Sequence, residues 1–148
     1  MTVAIPIHMK SWLFKVEPFV VLAGPAKTAL IPVDKKRYES ITSQDTHGTY
    51  LDRLSGTMAA FAQYAETLAS SPMDEVITNH PGSIVIDSAK IKAVSLRIDE
   101  EAVRNRGIGY YTLEIVTEQK KYRGTVDRGT NEEGKAEALK EVFGSRFK

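Results

Sequence analysis

Hydrophobic and polar residues alternate in the first third of the chain, which predicts short strands there. In SWLFKV, a two-residue period places Trp12, Phe14 and Val16 on one face of a strand. The apolar run FVVLAG (19–24) and the segment KTALIPV (27–33) predict two further strands, because a Gly-Pro pair between them marks a turn. The chain is therefore predicted to begin with a small group of strands.

A helix is predicted to interrupt these strands over about 52–70. Its apolar residues recur at spacings of four and three, which places them on one helical face: Leu54, Met58, Phe61, Ala65 and Leu68. The third strand is predicted to lie at an edge or to end at Pro32, because proline has no N–H to donate to a neighbouring strand. Residues 34–50 are polar without a clean period, so they predict a loop with at most one helical turn.

The second half of the chain returns to strands and ends in a helix. The predicted strands are DEVITN (74–79), SIVID (83–87), AKIKAVSLRI (89–98), GYYTLEIVT (109–117) and KYRGTV (121–126). The tripeptide EQK between the last two predicts a tight hairpin, and His80-Pro81-Gly82 predicts a turn. An amphipathic helix is predicted over about 132–147, with an apolar side formed by Ala136, Leu139, Phe143 and Phe147.

The alternation within residues 83–98 changes phase partway along. Ile91 has an odd number, whereas Val94, Leu96 and Ile98 have even numbers. A one-residue slip would turn every later side chain to the wrong face unless an extra residue is absorbed locally. A β-bulge around Lys92-Ala93 absorbs it and bends the strand, which favours a strongly curved sheet. The alternative is a strand that is buried on both faces for part of its length.

Length and composition are typical of one soluble globular domain, predicted to span residues 1–148. Of the 148 residues, 42% are hydrophobic and 26% are charged, and the net charge is +1. A mild excess of positive charge in residues 89–148 falls short of what duplex-binding proteins usually carry. The chain has no cysteine, which excludes disulfides and thiolate sites and favours a cytoplasmic location. The N-terminal segment is interpreted as mature protein, because Lys10 follows its apolar residues.

Three segments in the second half of the chain, GSIVIDSAKIKAVSL, YTLEIVTEQKKYRGTV and EEGKAEALKEVFGSRF, together resemble the second half of bacterial and archaeal pleckstrin-homology-like (PH-like) domains. The resemblance covers about residues 83–148 and is carried by three groups of residues: Ile91 and Val94, then Leu113, Ile115, Thr117 and Tyr122, then Leu139, Phe143 and Phe147. It implies an α+β fold in which a C-terminal helix caps a curved antiparallel sheet or partly open β-barrel. The helix near 52–70 would be an insertion in that fold.

The resemblance carries over the fold but no binding residues. Phosphoinositide-binding members of the family have a basic cluster between their first two strands. The corresponding connection is expected near VEPF (16–19) or AGPAKT (23–28), where Lys27 is the only basic residue.

Several short motifs resemble catalytic or cofactor sites, but each is better explained as a turn or loop. AGPAKT lacks the second glycine and the helix of a P-loop, and Gly107 and Gly109 lack the rest of a dinucleotide motif. The three histidines have no metal-ligand spacing. Asp87-Ser88 before Lys90 predicts turn chemistry rather than a serine nucleophile. We therefore predict no catalytic residue, no metal site and no cofactor.

One group of basic residues is a candidate binding patch: Arg104, Arg106, Lys120, Lys121 and Arg123. With Tyr110 and Tyr122 it suits single-stranded nucleic acid or anionic lipid headgroups, although Glu100, Glu101, Glu114 and Glu118 are close in sequence. The function predicted first is a non-enzymatic interaction or scaffolding module that binds a protein partner or itself. An anionic ligand at the basic patch is the alternative, and an unrecognised enzyme is the third.

Overall fold

The computed structural model describes residues 2–10, 15–42, 50–98, 100, 104, 110–127 and 129–148, and for residues 50–58 it describes the backbone alone. Seven strands form one sheet. In chain order they are β1 (Val3–Lys10), β2 (Val16–Ala23), β3 (Lys27–Pro32), β4 (Ile84–Asp87), β5 (Ile91–Ile98), β6 (Tyr111–Thr117) and β7 (Lys121–Val126).

Four helices accompany the sheet in the described part of the chain. They are α1 (Lys35–Thr42), α2 (Tyr50–Ala69), α3 (Met73–Asn79) and α4 (Glu132–Phe143). Three of them lie between β3 and β4, and the fourth follows β7. The fold is therefore α+β, as predicted.

The strands follow the order β4-β3-β2-β1-β7-β6-β5, and every neighbouring pair is antiparallel. The edge strands β4 and β5 are consecutive in the chain, joined by the 3₁₀ turn Ser88–Lys90. The two edges of the sheet do not pair with each other, so the sheet is open. It is also curved, since side chains from all seven strands meet in one inner cluster. This confirms the predicted curved antiparallel sheet.

Helix α4 packs against this inner cluster, as predicted. Leu139 and Phe143 are buried within it, and Phe147 is half-buried against it. The helix ends at Phe143 rather than near 147, because Gly144 has a positive φ of 59°. The residues after Gly144 leave the helix, and Phe147 forms a parallel bridge with Val94 on the edge strand β5.

The predicted bulge lies at Lys92. Ile91 is paired with Thr117 and Ala93 with Val116, so Lys92 is the extra residue on β5. As a result Ile91 and Val94 are both buried in the inner cluster although one number is odd and the other even. The bulge explains the change of phase, and the alternative of a strand buried on both faces is not needed.

A second apolar cluster covers the outer face of β1, β2 and β3. Helix α2 supplies Phe61, Ala65 and Leu68 to it, and α3 supplies Val76. The helix predicted near 52–70 is thus confirmed, and Phe61, Ala65 and Leu68 of its apolar face pack on the sheet, while the side chains of Leu54 and Met58 lie outside the described ones. Because these strands carry the inner cluster on one face and α2 on the other, their sequences read as continuous apolar runs.

Strand β1 is a strand that hydrophobic alternation alone did not identify. Its residues Val3 to Ile7 are all buried, since both faces are covered. Pro6 is tolerated in this central strand because β7 ends at Val126, opposite Ile7. The Pro6 carbonyl still accepts a hydrogen bond from the Asp127 N–H at 2.9 Å.

Other predictions need correction. Residues 74–79 are not a strand but lie in α3, where Met73, Val76 and Ile77 contact the outer cluster at helical spacing. The loop predicted over 34–50 is wrong for Lys35–Thr42, which forms α1. Asp34 caps that helix, since its Oδ1 accepts the Arg37 N–H at 2.7 Å. Neither helix is long enough to show a clear period.

The two predictions near Pro32 and Trp12 have different outcomes. Strand β3 does end at Pro32, and it lies between β2 and β4 rather than at an edge. The strand predicted over 11–16 falls mostly on residues 11–14, which lie outside the described residues. Strand β2 starts at Val16.

Candidate binding groove

A groove of about 720 Å³ lies where β1 and β7 stop being neighbours. These strands share two paired positions, Ile7 with Val126 and His8 with Thr125. Beyond them, β1 continues to Lys10 without a paired partner on β7. The groove is lined by His8, Met9, Lys10, Ile84, Thr112, Lys120, Lys121, Tyr122, Arg123, Gly124 and Thr125.

The rim of the groove is basic. Lys120, Lys121 and Arg123, all from the predicted patch, line it together with Lys10, and all four are exposed. None of the described residues that line the groove is Asp or Glu. Four cations around one concave surface produce a local positive potential that attracts anions.

Part of this charge is shared with a neighbouring carboxylate. Glu114 lies directly across from Arg123 on β6, and its Oε1 is 3.8 Å from Lys121 Nζ. Both lysine and glutamate side chains are accessible to water, so this ion pair is weak. Among the described residues, Lys10, Lys120 and Arg123 are therefore the cations of the groove without a carboxylate contact.

The apolar side chains that line the groove lie on the inner face of the sheet, opposite to the face of Lys10, Lys121 and Arg123, because neighbouring residues of a strand point to opposite faces. Met9, Ile84 and Tyr122 come from three different strands, are half-buried and pack against the inner cluster. No residue of α4 lines this groove. Lys120 Nζ lies 5.1 Å from the centroid of the Tyr122 ring, so a cation covers one face of the aromatic.

His8 lines the groove on the outer face of the sheet and contributes little charge. Its ring meets Tyr38 and Phe61 edge-on, with centroids 5.7 Å and 5.6 Å away. Burial lowers the pKa of His8 below its usual value of 6.5, because the charged imidazolium is poorly solvated there. At neutral pH the positive charge of the groove therefore comes from lysine and arginine.

The remaining patch residues do not join the groove. Arg104 is exposed and does not line it, and Arg106 lies outside the described residues. Lys10 was not predicted as a site residue, since only the pairing of β1 with β7 brings it near Lys120. The connection between the first two strands is residues 11–15, so its expected place near VEPF or AGPAKT is wrong.

Two motifs that were predicted to be turns, AGPAKT and Asp87-Ser88, lie among the described residues and have structural roles. In AGPAKT, the Gly24 N–H donates to the Lys27 carbonyl at 3.0 Å, which closes the β2–β3 turn. The Asp87 carboxylate accepts the Ala89 N–H at 3.0 Å, as predicted for turn chemistry. Ser88 is fully buried, and its hydroxyl donates to the Gly24 carbonyl at 2.7 Å.

A second cleft, of about 430 Å³, lies between α2, α4 and the start of β1. Its charged residues are Glu66 and Lys135, which form an ion pair with each other across the cleft. Because these charges are already neutralised, the cleft offers less to a charged ligand than the groove does. Among the described residues, no three of His, Asp and Glu are grouped as metal ligands.

Comparison with known proteins adds no identification. A scan against protein-family models finds no match, and a search of curated proteins finds none either. Within the described part of the chain, no helix combines the length and apolarity required to cross a bilayer.

Proposed function

We propose that this chain is a non-enzymatic binding module that holds a phosphate-bearing anionic ligand in the groove between β1 and β7. The observation that carries the proposal is the convergence of Lys10, Lys120, Lys121 and Arg123 on one concave surface. Lysine and arginine side chains are well suited to bind phosphate, because their hydrogen bonds to its oxygens are charge-assisted and stronger than neutral ones. A cytoplasmic location, favoured by the absence of cysteine, is part of this proposal.

We also propose that the fold is PH-like. The support is the open, curved sheet of seven antiparallel strands and the final helix packed against its inner cluster. Helices α1 to α3 would then be an insertion between β3 and β4. Fold alone does not imply function, so the ligand is argued from the groove.

A lipid phosphate suits the groove better than single-stranded nucleic acid does. Nucleic acid bound without sequence preference stacks its bases on exposed aromatic rings. Tyr122 is the aromatic residue in the lining, and Lys120 already lies over its ring. The groove thus offers charge for a phosphate, while one face of its aromatic ring is occupied.

The test is binding to vesicles of phosphatidylcholine with and without phosphatidylglycerol. We expect binding to the anionic vesicles alone, and we expect raised salt to weaken it, because exposed charges are screened. The double variant Lys120→Gln/Arg123→Gln should lose most of this binding. The matched control, Lys35→Gln/Lys36→Gln on the exposed start of α1, removes the same charge elsewhere and should retain it.

Three results would contradict the proposal. They are equal binding to uncharged vesicles, equal loss in both double variants, and binding to a single-stranded oligonucleotide that exceeds binding to the lipid. The last result would replace the lipid phosphate by nucleic acid at the same groove.

A protein partner or a second copy of the chain is the second candidate. It is favoured by exposed apolar side chains on the two edge strands, Val85 on β4 at 50% exposed and Ile98 on β5 at 44% exposed. Open strand edges can pair with another chain. Light scattering over a range of concentrations tests self-association, and Val85→Lys should abolish association if the β4 edge is the interface.

A further inference from the structure

We infer that the cleft between α2, α4 and the start of β1 binds a small apolar amino acid in its zwitterionic form. The cleft is separate from the groove, since none of the described residues lines both. The inference goes beyond the proposed function and does not depend on it. Its basis is a buried hydroxyl without a hydrogen-bond partner, together with one cation and one anion, in a cleft with apolar walls.

The cleft lies beside a part of β1 that β7 does not cover. Strand β7 pairs with Ile7 and His8 and ends at Val126, so the first half of β1 is paired with β2 alone in the part of the chain that the structure describes. The space beside it is lined by α2, which packs on the outer face of the sheet, and by α4, which packs on the inner face. Its volume of about 430 Å³ suits a small ligand, since sites for small molecules usually measure roughly 300–1,000 Å³.

Thr130 provides the observation that indicates a ligand. The residue lines the cleft and is 6% exposed, and its Oγ1 is buried with no hydrogen-bond partner among the described residues. Its backbone N–H donates to the Asp127 carbonyl at 3.1 Å, which holds the residue in place just before α4. Buried polar groups are almost always hydrogen-bonded, because an unpartnered one is destabilising. A ligand oxygen in the cleft would accept the hydrogen of this hydroxyl.

The two charged residues of the cleft match the two charges of an amino acid. Glu66 and Lys135 are the only charged side chains among the described lining residues, and they form an ion pair. The Glu66 side chain is 57% exposed, so the pair is weak and can exchange partners at little cost. A ligand ammonium at Glu66 and a ligand carboxylate at Lys135 replace one ion pair by two. A ligand with a single charge would leave one of these side chains without a partner.

The carboxylate of the ligand is assigned to the start of α4. Thr130 precedes the N-cap residue Asn131, and Lys135 is the fourth residue of the helix. The partial positive charge of a helix N-terminus adds to the attraction for an anion there. The Gly134 N–H already donates to Asn131 Oδ1 at 3.2 Å, so the Thr130 hydroxyl and the Lys135 ammonium are the donors assigned to the ligand.

Apolar residues of the cleft define the side chain of the ligand. Val3 and Pro6 of β1 line it together with Ala62 of α2 and Ala138 of α4. The two alanines are short and leave room between the helices. An apolar side chain of the ligand would be favoured there, because it is removed from water. A charged side chain would have no further opposite charge among the described lining residues.

The experiment is calorimetric titration of the full chain at neutral pH with L-valine and with three compounds that each lack one part of it. Isovalerate lacks the ammonium group, isobutylamine lacks the carboxylate, and glycine lacks the side chain. We expect one L-valine per chain. Isovalerate and isobutylamine should bind at least about tenfold more weakly, because each loses a charge-assisted contact. Glycine should also bind more weakly, because it buries no apolar side chain.

Thr130→Val distinguishes a role in ligand binding from a structural role. It replaces the hydroxyl by a methyl group of similar size, so the free energy of unfolding should stay equal or rise, while L-valine should bind about fivefold more weakly or worse. The matched control is Thr78→Val on α3, which is exposed and does not line the cleft. It should bind L-valine as the unmodified chain does.

Glu66→Gln tests the ammonium end of the site. Glu66 is exposed, so the substitution should leave the fold intact. It should abolish the preference for L-valine over isovalerate, because the ligand ammonium then has no anionic partner.

Three results would overturn the inference. They are no binding of L-valine, isovalerate binding as tightly as L-valine, and a Thr130→Val variant that loses stability but binds L-valine unchanged. The groove variant Lys120→Gln/Arg123→Gln should bind L-valine normally, which separates the outcome for the cleft from the outcome for the groove. Loss of L-valine binding in that variant would contradict a separate site.

Discussion

Arg146 is hydrogen-bonded to the backbone of Ser88, with 2.6 Å between its Nη1 and the Ser88 carbonyl oxygen. The same nitrogen is 3.2 Å from the Ile91 carbonyl oxygen, so the guanidinium bridges the two ends of the turn that joins β4 to β5. Its Cζ also lies 5.4 Å from the centre of the Phe143 ring. The residue just after α4 thus joins the helix to the place where the chain crosses between the two sheet edges.

We expect Arg146→Ala to lower the free energy of unfolding by about 1.5–3 kcal/mol, because two part-buried carbonyls lose a charged donor. Chemical denaturation measures the change. Arg97→Ala, at an exposed position on β5, should change the same quantity by no more than about 0.5 kcal/mol. Equal effects of the two substitutions would show that the Arg146 contacts do not stabilise the turn.

The free energy of unfolding should depend on the presence of a residue at position 92 rather than on which side chain it carries. Lys92→Ala removes an exposed side chain whose ion pair with Glu118 is long, at 3.9 Å, so we expect a change within about 0.5 kcal/mol. Deleting Lys92 keeps Ile91 facing inward but removes the bulge and pulls the Ser88 turn out of register. Each buried hydrogen bond lost there costs about 1 kcal/mol, so we expect a loss of at least about 2 kcal/mol. A deletion variant as stable as the substitution would contradict this.

Gly124 is required by the close approach of β1 and β7. A Cβ at this position would lie 2.7 Å from Ile7 Cδ1 and 3.2 Å from the His8 carbonyl oxygen. We expect Gly124→Ala to cost about 1–3 kcal/mol, as overpacking usually does. Ile7→Val removes the nearer atom, so a double-mutant cycle should show that it costs less in the Gly124→Ala background. Strict additivity would mean that Ile7 is not the source of the strain.

Asp127 should make the protein less stable as the pH rises. Burial raises the pKa of Asp127 from 3.8 to about 6, although its carboxylate accepts the Gly129 N–H at 3.3 Å. The folded state therefore binds this proton more tightly than the unfolded state does. The free energy of unfolding falls as pH rises through this window, because the folded protein then holds a poorly solvated carboxylate.

We expect Asp127→Asn to remove that loss, since an amide oxygen can still accept the Gly129 N–H. At about pH 8 the variant should be more stable by about 1 kcal/mol, the shift being reduced by partial exposure of the group. Near pH 4, where the aspartate is largely protonated in the folded state, the two proteins should be nearly equal. Thermal unfolding at the two pH values measures this, and a variant that is destabilised at pH 8 would refute it.

The candidate groove was only partly accessible from the sequence. Lys120, Lys121 and Arg123 are close along one hairpin, so their grouping follows from local spacing. Lys10 is more than one hundred residues away from them in the chain. It joins them because β1 pairs with β7, and such a long-range pairing leaves no local signal. The presence of Ile84 in the lining depends in the same way on the curvature that brings β4 near β7.

The sequence by itself determined the face that each of the clearer elements buries, including the change of phase at Lys92 and the apolar side of α4. This is possible because the two-residue and 3.6-residue periods are set by backbone geometry within one element. Only the tertiary structure decided which elements are neighbours, that β1 is buried on both faces, and that residues 73–79 form a helix. Those outcomes depend on contacts between distant segments, which override weak local preferences in short stretches of chain.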